Sequence, residues 1–311
     1  MASATIADPG AFGLGGDPKR RRRERRVHAV FFSAASVSVL ISVLIVVSLV
    51  GRAFDFLSRI EPSWLLGDVW APRSNQFSIP AIFSASLIVG GIAMLVAAPL
   101  GLGAAIYLSE YARPRARRAF KPALELLAGV PSIVLAFFAL TVISPEVIQQ
   151  LFPSAGLFNM ASAGIAVGIL TVPLVATIAE DAMHAVPAAL REASYGLGAQ
   201  RKTTSMRIVF PAAVSGIVAA LIVGLARALG ETMVVAIAAG GTGNGVLRLS
   251  PLQPGVTATA AMATLATGTD QVKGAGAAFP SLFFVGLLLF IATLSLNVLS
   301  ERFVRRVRQR Y

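Results

Sequence analysis

Arg227 is the one cation placed well inside a long apolar run of this chain, and a carboxylate, Glu231, follows four residues later in the string Arg-Ala-Leu-Gly-Glu. On a continuous helix that spacing puts both charges on one face. A charged side chain at the centre of a bilayer costs roughly 2.5–3.5 kcal/mol on insertion scales, so such residues face a protein interior or a water-filled cavity. Two readings of the pair stand. In one, it neutralises itself and fixes helix packing. In the other, it is a gated site on an anion route. A guanidinium holds tetrahedral oxyanions well because its planar fork of donors matches two oxygens. A neighbouring carboxylate would keep that hold weak and would repel the anion once the pair separated. Arg227 and Glu231 are therefore the expected substrate-pathway residues.

Other chemistry is excluded by what is missing. There is no cysteine, hence no disulfide, no thiolate metal site and no thiol nucleophile. The two histidines, His28 and His184, fall at the ends of apolar segments and read as interfacial residues. None of the four lysines follows a glycine-rich run, so no phosphate-binding G-x-x-x-x-G-K-[ST] is present, and no H-E-x-x-H occurs. No catalytic residue, cofactor or metal ligand is expected. A membrane-embedded enzyme is set aside for want of a nucleophile–base pattern.

The elements that must position the pair are membrane helices. Of 311 residues, 56% are hydrophobic and only 14% charged, against about 25% charged in a soluble domain. Six apolar runs, at 28–50, 81–108, 121–143, 159–183, 208–238 and 279–300, have the ~20 residues needed to span hydrocarbon. Backbone polar groups must be satisfied internally there, so the runs are read as helices and the fold as all-α. Arg227 lies 16 residues past Pro211, about 24 Å along a helix axis, which places it past mid-bilayer. The net charge is +12. It is not spread as in a nucleic-acid binder: 21 of the 27 Lys and Arg residues fall in the N-terminal tail, loop 109–122, loop 184–207 and the C-terminal tail. By the positive-inside rule that side is cytoplasmic, and both termini are inside.

Residues 1–27 are read as a basic, disordered cytoplasmic tail, with Arg20–Arg26 at anionic headgroups. The first run, 28–50, is a retained anchor rather than a signal peptide, since it exceeds the usual apolar length and no small-x-small site follows. Residues 28–80 form the first helix and an outer loop, 81–300 the core of five helices, and 301–311 a second basic tail. Trp64 and Trp70 in the outer loop read as interfacial anchors, with a docking surface as the alternative. Part of the Gly- and Thr-rich stretch 239–278, residues 256–267, is expected to form a short outer helix. Glu125, Glu180 and Asp181 lie near span ends, where interfacial or structural pairing is expected; Pro131 and Pro173 should kink their spans. Gly216, Ala220 and Gly224 make a small-residue stripe beside Arg227. A seam between subunits and packing within the chain explain the stripe equally well.

Between the fourth and fifth spans lies a polar loop, 184–207, long for a helix–helix connection. Gly198 permits a sharp reversal between two short helices because it tolerates positive φ, and Pro187 and Pro211 delimit the element. The pattern Glu192-Ala193-Ser194, then Gly198, then Ile208-Val209-Phe210-Pro211 closely resembles the EAA loop of type I ABC importer membrane subunits. Ser194 stands where that pattern has its second alanine, and Phe210 where it has leucine.

The likeness extends along the chain. Arg227-Ala228-Leu229-Gly230-Glu231 is similar to oxyanion permeases generally; the continuation Thr232-Met233-Val234-Val235 is similar to the phosphate-specific subgroup. Residues 99–110, 125–132 and Trp64…Trp70-Ala71-Pro72 agree, so the chain resembles the PstC-type permease subunits of phosphate-specific ABC importers. That resemblance implies a six-helix permease fold in the bacterial inner membrane and passage of inorganic phosphate. It implies a PstA-like second permease, two cytoplasmic PstB-like ATPases that hydrolyse ATP, and an external PstS-like phosphate-binding protein. It also implies that Glu192, Ala193 and Gly198 couple the chain to the ATPase. A sulfate or molybdate permease is the alternative within the class. A gradient-driven anion transporter would need no ATPase dock, and the chain shows no inverted repeat.

Overall fold

The computed structural model describes residues 18–241, 244–268 and 276–307. The expected tail up to residue 17 lies outside the described residues. In order, the chain forms helix α1 (Pro18–Arg59), strands β1 (Val69–Ala71) and β2 (Gln76–Phe77), and helices α2 (Ile79–Tyr111) and α3 (Pro114–Ala128). Then come α4 (Ser132–Leu151), α5 (Met160–His184), α6 (Ala188–Gly196), α7 (Arg201–Ala212), α8 (Val214–Gly230) and α9 (Met233–Ala238). Strand β3 (Gly245–Val246) and helices α10 (Ala258–Thr267) and α11 (Ala278–Val307) complete it. Five helices are long and apolar enough to cross a membrane, or six if the bent pair α7–α8 is one span.

The chain divides into two units at Gly51. The first, up to Gly51, is the larger part of α1. It starts ten residues before the expected span, and its side chains from Arg23 to Ile45, Phe31 and Leu44 among them, are exposed. An apolar helix with no buried face suits a hydrocarbon solvent.

The second unit, from Arg52 onward, is organised on α2 and α5. These helices run parallel: Gly164 meets Val89 and Ile92, and Gly168 meets Ala93 and Val96. A Cβ on Gly168 would stand 2.8 Å from the Ala93 carbonyl oxygen, so the backbones approach as only small residues allow. Helix α8 lies antiparallel against both. Gly216 abuts Ala182, Gly224 abuts Thr171, Val175 and Met94, and Ala220 between them is fully buried. The small-residue stripe therefore packs inside the chain.

At one end, here the sheet end, β1 pairs antiparallel with β2 (Trp70↔Phe77) and with β3 (Val69↔Val246). Trp70 is buried and meets Phe77 edge-on at 6.1 Å, and Phe56 bridges Phe77 to Phe284. Trp70 is thus a core residue rather than an interfacial anchor, while Trp64 remains partly exposed. The expected outer helix is α10, seated by buried alanines and by the Ser86 hydroxyl, which accepts from the Ala258 N–H at 2.9 Å.

Two expected spans are redrawn. The run 121–143 is two helices. Helix α3 carries Arg115, Arg117, Arg118 and Lys121 and has no buried residue; Gly129 ends it, and Pro131 caps the start of α4. Pro131 is therefore a boundary, whereas Pro173 does lie inside its helix. The Ala- and Leu-rich end of α3 reads as hydrocarbon-compatible in a window, but its charges recur every turn. The run 208–238 is also broken: α7 and α8 meet at 70°, and α8 stops at Gly230 before Glu231 and Thr232.

Candidate functional site

At the end opposite the sheet, α6 and α7 form an elbow. Pro187 precedes α6, and Gly198 turns the chain with φ of +77°. The Gly198 N–H donates to the Tyr195 carbonyl at 2.9 Å and the Ala199 N–H to that of Ser194 at 3.1 Å, closing the helix end through a left-handed residue. The Ser194 and Thr204 hydroxyls, both buried, lie 2.9 Å apart and fasten the two short helices together. Ser194, a departure from the alanine pattern, is thus a staple. Glu192, Ala193 and Gly198 are all on the outside, with Leu197 at the tip 89% exposed.

The inside of the elbow is fixed by residues that sequence reasoning missed. Arg191 donates through Nη1 to the Val186 carbonyl at 2.7 Å, and through Nη2 to the Met183 carbonyl at 2.8 Å and to Glu110 Oε1 at 3.0 Å. The first two acceptors lie at the carbonyl end of α5, where a cation is favoured. Glu110, buried at the end of α2, also accepts from Ser109. Arg201 lies over the Tyr111 ring at 5.5 Å. One elbow is thereby tied to α2 and α5 at once. Nearby, Glu180 is buried on α5 and binds Arg117 at 2.5 Å and Lys121 at 3.7 Å, which clamps α3 to α5. The pairing expected at span ends is present for Glu180. Residues 81 and 63 positions apart along the chain make these bonds, so no local signal marks them.

Arg227 and Glu231 are near in sequence but are not an ion pair. Arg227 is in the last turn of α8, level with the middle of α5 and exposed. Glu231 is extended (φ −66°, ψ 132°), so the shared helix face does not form. Its Oε1 accepts from the Val234 N–H at 3.4 Å, at the start of α9, and its carbonyl accepts from the Thr259 hydroxyl at 2.7 Å on α10. Arg227 makes no hydrogen bond or ion pair with any described residue. It lines an open cleft of about 330 Å³ with Glu125 of α3 and Pro173 and Thr177 of α5. Glu125 is exposed and has no ion pair among the described residues, contrary to the pairing expected of it. The cleft can present one uncommitted guanidinium to an anion, with an uncommitted carboxylate on its rim.

Residues 97–310 match the family described as "Binding-protein-dependent transport system inner membrane component". The "Phosphate transport system permease protein PstC" of Haemophilus influenzae is 30% identical over 85% of this chain and 88% of that protein. The protein of the same name from Mesorhizobium japonicum is 30% identical over 92% of each. Among solved structures, a chain of the bacterial alginate ABC transporter, in complex with its alginate pentasaccharide-bound periplasmic protein, superposes with a TM-score of 0.66. That match covers 94% of this chain and 98% of the other at 14% identity, which speaks to the fold alone.

Proposed function

Because the chain belongs to the family of binding-protein-dependent transport system inner membrane components, we propose that it is the phosphate-conducting permease subunit of an ATP-driven importer. The observation that carries the substrate is the likeness, over most of the chain, to relatives named as phosphate transport permeases. Arg227, a guanidinium uncommitted to any described residue and open to a cleft, supplies the chemistry such an ion needs.

The working unit is this chain with a PstA-like second permease, two PstB-like ATPases and an external PstS-like phosphate-binding protein. Both termini and the elbow are cytoplasmic, since the Lys and Arg residues concentrate in the two tails and in the loops 109–122 and 184–207. The exposed outer surface of the elbow, Glu192, Ala193, Leu197 and Gly198, seats on the ATPase. Closure of the ATPase dimer on ATP displaces the elbow. The three bonds of Arg191 and the Arg201–Tyr111 contact carry that displacement into α2 and α5, whose tight parallel packing makes them move together. The cleft then changes its exposure from one side of the membrane to the other. Arg227 contacts the anion electrostatically, and Glu231 holds the break between α8 and α9 in place at the pathway's wall. Phosphate undergoes no covalent step on this chain.

The test is uptake of labelled phosphate, sulfate and molybdate by proteoliposomes holding the co-expressed subunits. Phosphate uptake that needs both ATP and the binding protein is the expected result. Preferential sulfate or molybdate uptake would move the chain to another oxyanion, and uptake by the isolated chain without the ATPase would sink the proposal.

A further inference from the structure

The carboxylate that shares a cleft with Arg227 belongs to a different helix from the one its sequence neighbourhood suggests. Glu231 is held by the Val234 N–H and by backbone that has left the helix. Glu125 is the other ionisable residue lining the cleft of Arg227, and Thr177 is the other side chain there with a hydrogen-bonding group. No oxygen of Glu125 comes within 4.0 Å of Arg227, so the two charges share the cleft without pairing.

Their positions suit an exchange of partners. Side chains of a helix slope toward its N-terminus. The start of α8 lies at the elbow end, so Arg227 reaches from mid-α5 level toward the end where α3 lies. Helix α3 is clamped by Arg117 and Lys121 to the buried Glu180. Glu125 follows these two residues at helical spacings of eight and four, on the same flank, one turn before the Gly129–Pro131 break. The clamp fixes where the carboxylate stands, and the break lets α4 move without it.

Resting on the phosphate reading of Arg227, we propose that Glu125 is the release carboxylate of the anion route. An anion bound to Arg227 in this cleft feels Glu125 as a like charge. When the anion leaves, the carboxylate takes up the guanidinium's attraction and opposes return. Glu125 does not bind the substrate; it sets how briefly Arg227 keeps it.

The experiment uses the assembled transporter in proteoliposomes, with inorganic phosphate uptake and ATP hydrolysis measured together. Glu125→Gln should lower kcat and KM together by about tenfold, corresponding to about 1.4 kcal/mol of tighter retention, because slower release lowers both. Glu125→Asp should restore both. Arg227→Gln, run in parallel, should cut uptake about 100-fold. If Glu125→Gln transports like wild type while Arg227→Gln shows that loss, the release role is overturned and the pathway reading stands. If both variants transport normally, Arg227 is off the route and the release role falls with it. A lower kcat at unchanged KM, with a lowered melting temperature, would make Glu125 a structural residue and equally overturn the proposal. The chain has no cysteine. A Glu125→Cys/Arg227→Cys pair can therefore be bridged by a short thiol cross-linker, and failure to bridge in the nucleotide-free complex would also count against it.

Discussion

The elbow end and the cleft use the same side-chain chemistry to opposite ends. At the elbow end two carboxylates are buried and bound to cations: Glu110 to Arg191, Glu180 to Arg117 and Lys121. In the cleft Arg227 and Glu125 are exposed and satisfied by no described residue. An arginine held against buried acceptors can transmit force, and its charge is already matched. An uncommitted one can take a ligand, but it contributes nothing to holding helices together. On the proposed reading, the difference separates a part that transmits movement from a part that meets the ion.

Four measurements test that contrast. The largest effect is expected from Arg117→Ala, which leaves Glu180 buried with only a distant lysine. Removing one partner of a buried pair costs about 3–5 kcal/mol, so thermal unfolding of the purified complex should shift strongly downward. A melting curve like the wild type's would mean that the clamp holds nothing. Next, Arg227→Gln should cut phosphate uptake about 100-fold, the scale of a lost charge-assisted contact of about 1.5–3 kcal/mol. Its melting temperature should not change. Destabilisation there would move Arg227 into the structural class.

Gly198→Val comes third. A β-branched residue at φ +77° meets roughly 1–2 kcal/mol of left-handed strain. Phosphate uptake per ATP hydrolysed should fall while the transmembrane core keeps its stability. Unchanged coupling would remove the turn from the transmission path. The smallest effect is that of Ser194→Ala, which deletes the bond to Thr204 and should cost about 1 kcal/mol. Limited proteolysis between α6 and α7 should quicken slightly. If it does not, the alanine of the family pattern serves equally well at this position.

Some of this was legible along the chain. Gly198, in a polar stretch delimited by Pro187 and Pro211, marked a reversal, and the reversal is there. The spans at α2, α5 and α11 were visible because their apolar runs are uninterrupted. The run 121–143 misled because a window averages over the stretch from Gly129 to Pro131, where α3 ends and α4 begins. The Arg227–Glu231 pair misled for a related reason: an i,i+4 spacing is a shared face only while the helix lasts, and α8 ends at Gly230. Thr259 of α10 and the Val234 amide hold Glu231 outside it.

Composition, run length and charge asymmetry determined that the chain crosses a membrane, and its motifs indicated which kind of transport subunit it is. These properties belong to single segments and to their free energies of transfer, so they need no partner. The tertiary structure alone decided which charges are committed. It brought Glu110 to Arg191 and Glu180 to Arg117 across distances of 81 and 63 residues, and it set Glu125, rather than Glu231, beside Arg227 in the cleft. Electrostatic energy depends on separation in space and on burial, and neither is a function of position along the chain.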